Sequence, residues 1–84
     1  MTKVVVYSKD HCPFCDSAKA LLTRKSIPYE EIHVDQDPEQ LAKMIEASGR
    51  RTVPQIFIND KPIGGFDDLA ALNDSGELDK LLSQ

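Results

Sequence analysis

Apolar positions in this chain come in short blocks whose period changes from one block to the next, and that change predicts its elements. Val4, Val5 and Val6 form a β-branched run, as expected of a strand buried on both faces. Beyond the polar break Ser8-Lys9-Asp10, Phe14, Ala18, Leu21 and Leu22 recur at helical spacing, while Asp16, Lys19 and Thr23 face elsewhere. Pro13 suits a first helical position, which leaves Cys12 as the N-cap. Ser26-Ile27-Pro28 stops that helix, because the residue before a proline is pushed out of the helical region. Tyr29 to Val34 reads as a second strand with Ile32 and Val34 on one face.

The second half continues in the same way. Asp37-Pro38-Glu39-Gln40 is a helix start, with Asp37 capping and Gln40 placed to reach back as in a capping box. Leu41, Met44 and Ile45 supply its buried stripe, and Gly49 ends it. Gln55 to Ile58 is a third strand. Asn59-Asp60 makes a two-residue hairpin turn, since both residue types tolerate positive φ. A fourth strand follows around Pro62-Ile63, marked as an edge by its proline and broken by Gly64-Gly65. Asp67 to Leu72 begins a third helix; Gly76 interrupts it before a last amphipathic turn carrying Leu78, Leu81 and Leu82. The order is β-α-β-α-β-β-α. A right-handed crossover joins the first two strands and a hairpin joins the last two, giving a small α/β fold with a mixed sheet and helices on both faces.

Composition narrows the function classes. Eighty-four residues are expected to form one domain, 1–84, with no linker or repeat. The 14 acidic and 10 basic residues leave a net charge of −4, the wrong bias for a phosphate-backbone binder, so nucleic acid is not an expected partner. No apolar run reaches membrane-spanning length, and Ser8-Lys9-Asp10 interrupts the N-terminal block too early for a signal peptide. Two cysteines are too few for a disulfide-stapled secreted domain. The expectation is therefore a cytoplasmic protein without a membrane partner, whose Cys12-Pro13-Phe14-Cys15 motif carries chemistry.

That spacing puts one sulfur at a helix N-terminus, where orphan N–H groups point at it, and favours reversible thiol–disulfide exchange. The helix dipole supplies at most ~2 kcal/mol toward holding a charged sulfur there. A hydrogen bond to a charged acceptor contributes roughly 1.5–3 kcal/mol. N–H groups of Phe14 and Cys15 should thus outweigh the dipole, with Lys9 a screened supplement. Cys12 is the expected nucleophile. Cys15, about one turn deeper, should be shielded, harder to ionise, and suited to resolving a mixed disulfide formed at Cys12. Zinc fits less well: it needs four ligands, and His11 and Cys12 are too close in sequence to join Cys15 in one tetrahedron.

Two further stretches qualify as binding elements. Thr52-Val53-Pro54 precedes the third strand; on the residues alone its proline is open between cis and trans. A cis bond would turn the Val53 backbone toward an extended peptide ligand opposite the thiol. Gly64-Gly65-Phe66-Asp67-Asp68 allows close backbone approach and presents helix-start N–H groups suited to a carboxylate, although an acidic N-cap alone would also account for the aspartates.

These three motifs together, spread over nearly the whole chain, resemble the glutaredoxins, specifically the short bacterial dithiol type. The resemblance implies the thioredoxin fold with strand order 2-1-3-4 and a glutathione-dependent disulfide oxidoreductase acting on protein disulfides and protein–glutathione mixed disulfides. It implies catalysis by Cys12 and Cys15, a cis Pro54, and glutathione as co-substrate, with no resident metal. Val53 would pair with the glutathione cysteine, flanked by Thr52. Gly65, Phe66 and Asp67 would meet the γ-glutamyl carboxylate, and Asp67 or Asp68 its ammonium. Lys9, Arg51 and Phe14 would flank the glycine end. Relatives often add an Arg or Gln on the second helix, which has no clear match among Gln40, Leu41 and Lys43; they also often carry tyrosine at Phe14. Implied partners are glutathione and disulfide-containing or glutathionylated proteins, ribonucleotide reductase among the candidates, acting on a monomer. Two alternatives stand beside this: a cluster-bridged iron–sulfur dimer, against which Pro13 should stiffen the loop, and a thioredoxin, against which the chain lacks tryptophan and has no Gly-Pro between its cysteines.

Overall fold

A computed structural model, describing residues 2–83, places the strands and helices in the expected order. They are β1 (Val4–Ser8), α1 (Pro13–Arg24), β2 (Glu30–His33), α2 (Pro38–Ser48), β3 (Gln55–Ile58), β4 (Lys61–Gly64), α3 (Phe66–Ser75) and α4 (Glu77–Leu82). The expected domain limits include Met1 and Gln84, which lie outside the described residues. The sheet order is β2-β1-β3-β4. β1 runs parallel to β2 and antiparallel to β3, and β4 closes the edge antiparallel to β3. This is the thioredoxin fold.

Strand alternation sorts the two faces. Val4, Val6, Ile56 and Ile58 meet Ala18, Leu21 and Leu22 of α1, Leu69 of α3 and Leu78 of α4 in one core. Val5, Tyr7, Ile32 and Phe57 look the other way, across a cleft from Gln40, Lys43 and Ala47 of α2. Burying a leucine such as Leu22 contributes about 1.5–3 kcal/mol. Tyr7 and Phe57 pack edge to face with ring centroids 5.4 Å apart, on the α2 side.

Several local expectations change. Phe14 is 62% exposed and off the buried stripe of α1, which Cys15 completes instead. Phe14 and Cys15 share the first turn, and it is the Cys15 side chain that turns to the core while the Phe14 ring stays at the surface. Tyr29 and Val34 fall outside β2, although the Val34 N–H still donates to Ser8 O at 2.9 Å. Asp37 Oδ1 accepts from both Glu39 N–H (3.1 Å) and Gln40 N–H (3.3 Å), so the cap is carried by Asp37 itself. In α2 only Met44 is fully buried, with Leu41 and Ile45 partly covered. α3 begins at Phe66, with Gly65 rather than an aspartate as N-cap.

The turn chemistry follows the sequence. Asn59 and Asp60 have φ of 52° and 68°, the paired positive values of a type I′ hairpin turn. Gly49 ends α2 at φ 74°. Leu22 is fully enclosed by α1, the sheet and α3. Leu22→Ala should therefore cost about 2–5 kcal/mol of stability, read from the urea midpoint of cooperative unfolding.

Candidate active site

Cys12 stands just before α1 because Pro13 sets the first helical φ and removes an N–H that would have been unpaired. The cap is a sulfur: Cys15 N–H donates to Cys12 Sγ at 3.3 Å. Of the two donors expected, only this one reaches it among the described residues. The Cys12 Sγ also lies 3.9 Å from Val53 O, a long thiol-to-carbonyl contact. Both cysteines are free and buried, Cys15 completely so. The two thiols are not equivalent. Burial, then the hydrogen bond with Cys12, pushes the Cys15 thiol up to about 12, against smaller opposing contributions from the Lys9 backbone and the Lys19 charge.

The Val53–Pro54 bond is cis, as the resemblance implied. Gln55, buried at the start of β3, donates its amide to Thr52 O (3.0 Å) and Thr52 Oγ1 (3.3 Å), bracing the loop that carries Val53. A groove of about 220 Å³ opens beside this loop. Phe14, Thr52, Val53, Pro54, Gly65, Phe66, Asp67 and Asp68 line it, together with Arg50 and Gln55. Phe14 and Phe66 face each other there with ring centroids 6.4 Å apart.

Lys9 and Arg51 lie elsewhere. They line a neighbouring hollow of about 360 Å³ that shares Thr52 and Val53 with the first and is closed by Val34, Asp35 and Leu41. The sequence-predicted residues thus form two basins meeting along Thr52-Val53. On α2, Leu41 lines the cationic hollow, while Gln40 and Lys43 line the cleft on the α2 side of the sheet. The cationic side chains lining that hollow are Lys9 and Arg51.

The two aspartates also separate. Asp68 Oδ2 accepts from Gly65 N–H at 3.0 Å and pairs with Arg50 at 3.1 Å. The Gly65 bond first, then Arg50, holds the Asp68 carboxyl below its ordinary value. Asp67 makes no such bond among the described residues. Arg50 and Gln55 are the site residues that sequence reasoning missed. Arg50 adjoins the predicted Arg51, but nothing in the sequence says that the two arginines diverge into different basins. Gln55 was hidden by its place inside an apolar strand.

On the far side of α1 lies a charged group. Glu31 Oε2 accepts from Ser8 Oγ (2.7 Å) and Lys19 Nζ (2.8 Å), and His33 Nε2 is 3.2 Å away. His33 Nδ1 faces Asp10 at 3.2 Å. Burial works against ionising Glu31, but the bonds from Lys19 and Ser8, then the Lys19 and His33 charges, hold its carboxyl below the ordinary range. Among the described residues no three His, Cys, Asp or Glu side chains are grouped to hold a metal ion. Among the described residues no helix is long and apolar enough to cross a membrane.

A dithiol at the N-cap of the first helix, opposite a cis-proline loop, on a β2-β1-β3-β4 sheet defines a redox protein of the thioredoxin fold. The glutaredoxin family model matches residues 4–63. Glutaredoxin 3 of Escherichia coli is 49% identical over 82 residues, covering 98% of this chain and 99% of that protein. A glutaredoxin of Pseudomonas aeruginosa is 47% identical over 83 residues, 99% of each. Among solved structures, the buckwheat glutaredoxin–glutathione complex superposes with a TM-score of 0.89 at 33% identity, covering 98% of this chain and 77% of that one. The Brucella melitensis glutaredoxin does so at 0.85 and 51%, covering 98% and 89%. The chain belongs to the glutaredoxin family and is a thiol–disulfide oxidoreductase.

Two outcomes follow from the geometry. Gly64 has φ +119°, and a Cβ there would collide with the Asp68 carboxylate. Gly64→Ala should break the Gly65–Asp68 bond and lower stability by about 1–3 kcal/mol, measured by thermal unfolding. Glu31 ionises more readily folded than unfolded. Its contribution is therefore complete above its ordinary value of 4.5 and is lost as pH falls from there through the lower folded value. Glu31→Gln should reduce stability at neutral pH and flatten its decline in that acid range, as seen by denaturant titration.

Proposed function

We propose that this protein is a glutathione-dependent oxidoreductase that reduces protein disulfides and protein–glutathione mixed disulfides, as a single domain in a reducing cytoplasm. The observation that carries this reading is the inequality of the two thiols. Cys12 caps α1 and faces the Val53 backbone, whereas Cys15 is fully buried and pushed up to about 12. An anionic Cys12 sulfur is a better acceptor for the Cys15 N–H than a neutral thiol. Cys12 is therefore the attacker and Cys15 the resolver.

In the first step, the Cys12 thiolate attacks the glutathione sulfur of a mixed disulfide. A Cys12–glutathione bond forms, the old S–S bond breaks, and the protein thiolate leaves and takes up a proton. A second glutathione thiolate then attacks the glutathione sulfur of that adduct, yielding glutathione disulfide and free Cys12. Cys15 offers the alternative second step: its sulfur attacks Cys12, forms the Cys12–Cys15 disulfide and expels glutathione.

The two basins suit the two ends of glutathione. The start of α3, with Gly65, Phe66 and the uncommitted Asp67, would receive the α-carboxylate and ammonium of the γ-glutamyl end. Asp68 is already occupied by Gly65 and Arg50, which makes Asp67 the better ammonium partner. Thr52 and the Val53 backbone would align the central cysteine with Cys12. Lys9 and Arg51 would take the glycine carboxylate across the shared rim, with Phe14 on the opposite flank. The buckwheat glutaredoxin solved with glutathione supports this assignment through its close superposition.

Turnover of a glutathionylated peptide, coupled to glutathione reductase, tests the roles. Cys12→Ser should abolish it and Cys15→Ser should retain it, because glutathione itself completes the second step. Activity surviving in Cys12→Ser would overturn the assignment.

A further inference from the structure

We propose that Lys19, clamped by Glu31, is a positioning residue for the resolving step, supplying the positive field under which buried Cys15 attacks the Cys12 mixed disulfide. The inference rests on the dithiol reading above and concerns a residue outside both basins.

Three observations carry it. Cys15 and Lys19 are four residues apart on α1, so they share one helix face, with Cβ atoms about 5–6 Å apart. Lys19 is held in place rather than free: its Nζ meets Glu31 Oε2 at 2.8 Å and Asp16 Oδ1 at 3.6 Å, and three-quarters of its side chain is covered. The clamp is itself anchored, since the fully buried Ser8 donates to the same Glu31 oxygen at 2.7 Å and His33 Nε2 stands 3.2 Å from it. β2 therefore turns Glu31 and His33, not apolar side chains, toward the face of the sheet that α1 covers. Without a task, a hydrophobic pair there would be less costly, because covered ion pairs are poor contributors to net stability.

The groups that act on Cys15 are few. In the free dithiol the Cys12 sulfur lies beside it and disfavours a second negative charge, as does burial; once Cys12 is in the mixed disulfide, burial is the opposing cause that remains. The Lys9 backbone and the Lys19 ammonium oppose them, which leaves Lys19 as the cationic side chain favouring the thiolate. Lys19 in turn faces Glu31 and Asp16, with Tyr29 nearby, and these keep it protonated. In the step concerned, Cys15 S–H loses its proton to solvent and its sulfur attacks Cys12. The Cys12–glutathione bond breaks, the Cys12–Cys15 bond forms, and the departing glutathione thiolate is protonated. No further oxidant or reductant is needed.

The test mixes reduced protein with glutathione disulfide, quenches with acid at intervals, and counts reduced, glutathionylated and internally oxidised protein by mass spectrometry across a pH series. Partial covering discounts an opposite charge at this range to a roughly three- to tenfold effect. Lys19→Gln should slow closure by that factor at neutral pH, move the closure profile toward alkaline pH, and let the adduct accumulate. Formation of the adduct, timed separately in a Cys15→Ser background, should change less than about twofold, since Lys19 stands roughly two helical turns along the chain from Cys12, where a single charge is largely screened. Lys19→Arg should restore closure. An unchanged closure profile in Lys19→Gln, or equal slowing of both steps, would overturn the inference while leaving the proposed function intact. If the unsubstituted protein forms no glutathione adduct at Cys12, the proposed function falls and the inference falls with it.

Discussion

One hydrogen bond organises the functional end of this molecule: Cys15 N–H to Cys12 Sγ. Helices normally begin on a hydroxyl or carboxylate oxygen, which accepts strongly from the first-turn amides. Here the cap is a thiol, a weak acceptor until it carries charge. The start of α1 is therefore satisfied best by the reactive form of its own cap. The same contact holds the Cys12 sulfur against the backbone of Cys15, whose own side chain lies in the core. Everything that makes the thiols chemically different follows from which of them caps and which is packed.

The charged underside of α1 is the counterpart to that arrangement. An edge strand with apolar residues on both faces would extend the core but also invite pairing with another chain. β2 instead directs Glu31 and His33 inward, an arrangement that also protects a sheet edge. Burying Ser8 and Glu31 together is tolerable only because Lys19 crosses from α1 to complete the set. Stability and chemistry are then linked through one carboxylate.

Most of the fold was legible because local signals agreed with one another. Val4 to Val6, the Asp37-Pro38 start, the Asn59-Asp60 turn and Gly49 each name a conformation for a steric reason, and each adopts it. Phe14 misled because helical spacing at the first turn admits either of two neighbouring residues to the buried stripe, and Cys15 takes the place. Gly65 as N-cap was obscured by the adjacent aspartates, which are stronger capping residues by type; the backbone itself occupies the position, and Asp68 closes back on it. At the site, the motifs identified nearly all the groove. Sequence order could not show that Lys9 and Arg51 share a hollow separate from it. That separation is set by where Thr52 and Val53 divide the surface, with Arg50 paired to Asp68 on one side while Arg51 and Lys9 line the hollow on the other.

At the pole opposite the thiols, Thr2 Oγ1 donates to Leu82 O at 2.6 Å, across 80 positions of sequence. The two ends of the described chain thus meet, and they meet away from the chemistry. The exposed Asn59-Asp60 turn is tied to Lys3 on the same side by paired 2.8 and 2.9 Å bonds. The longest tie in the sequence and the chemistry therefore occupy opposite ends of β1, so a load carried by one does not pass through the other.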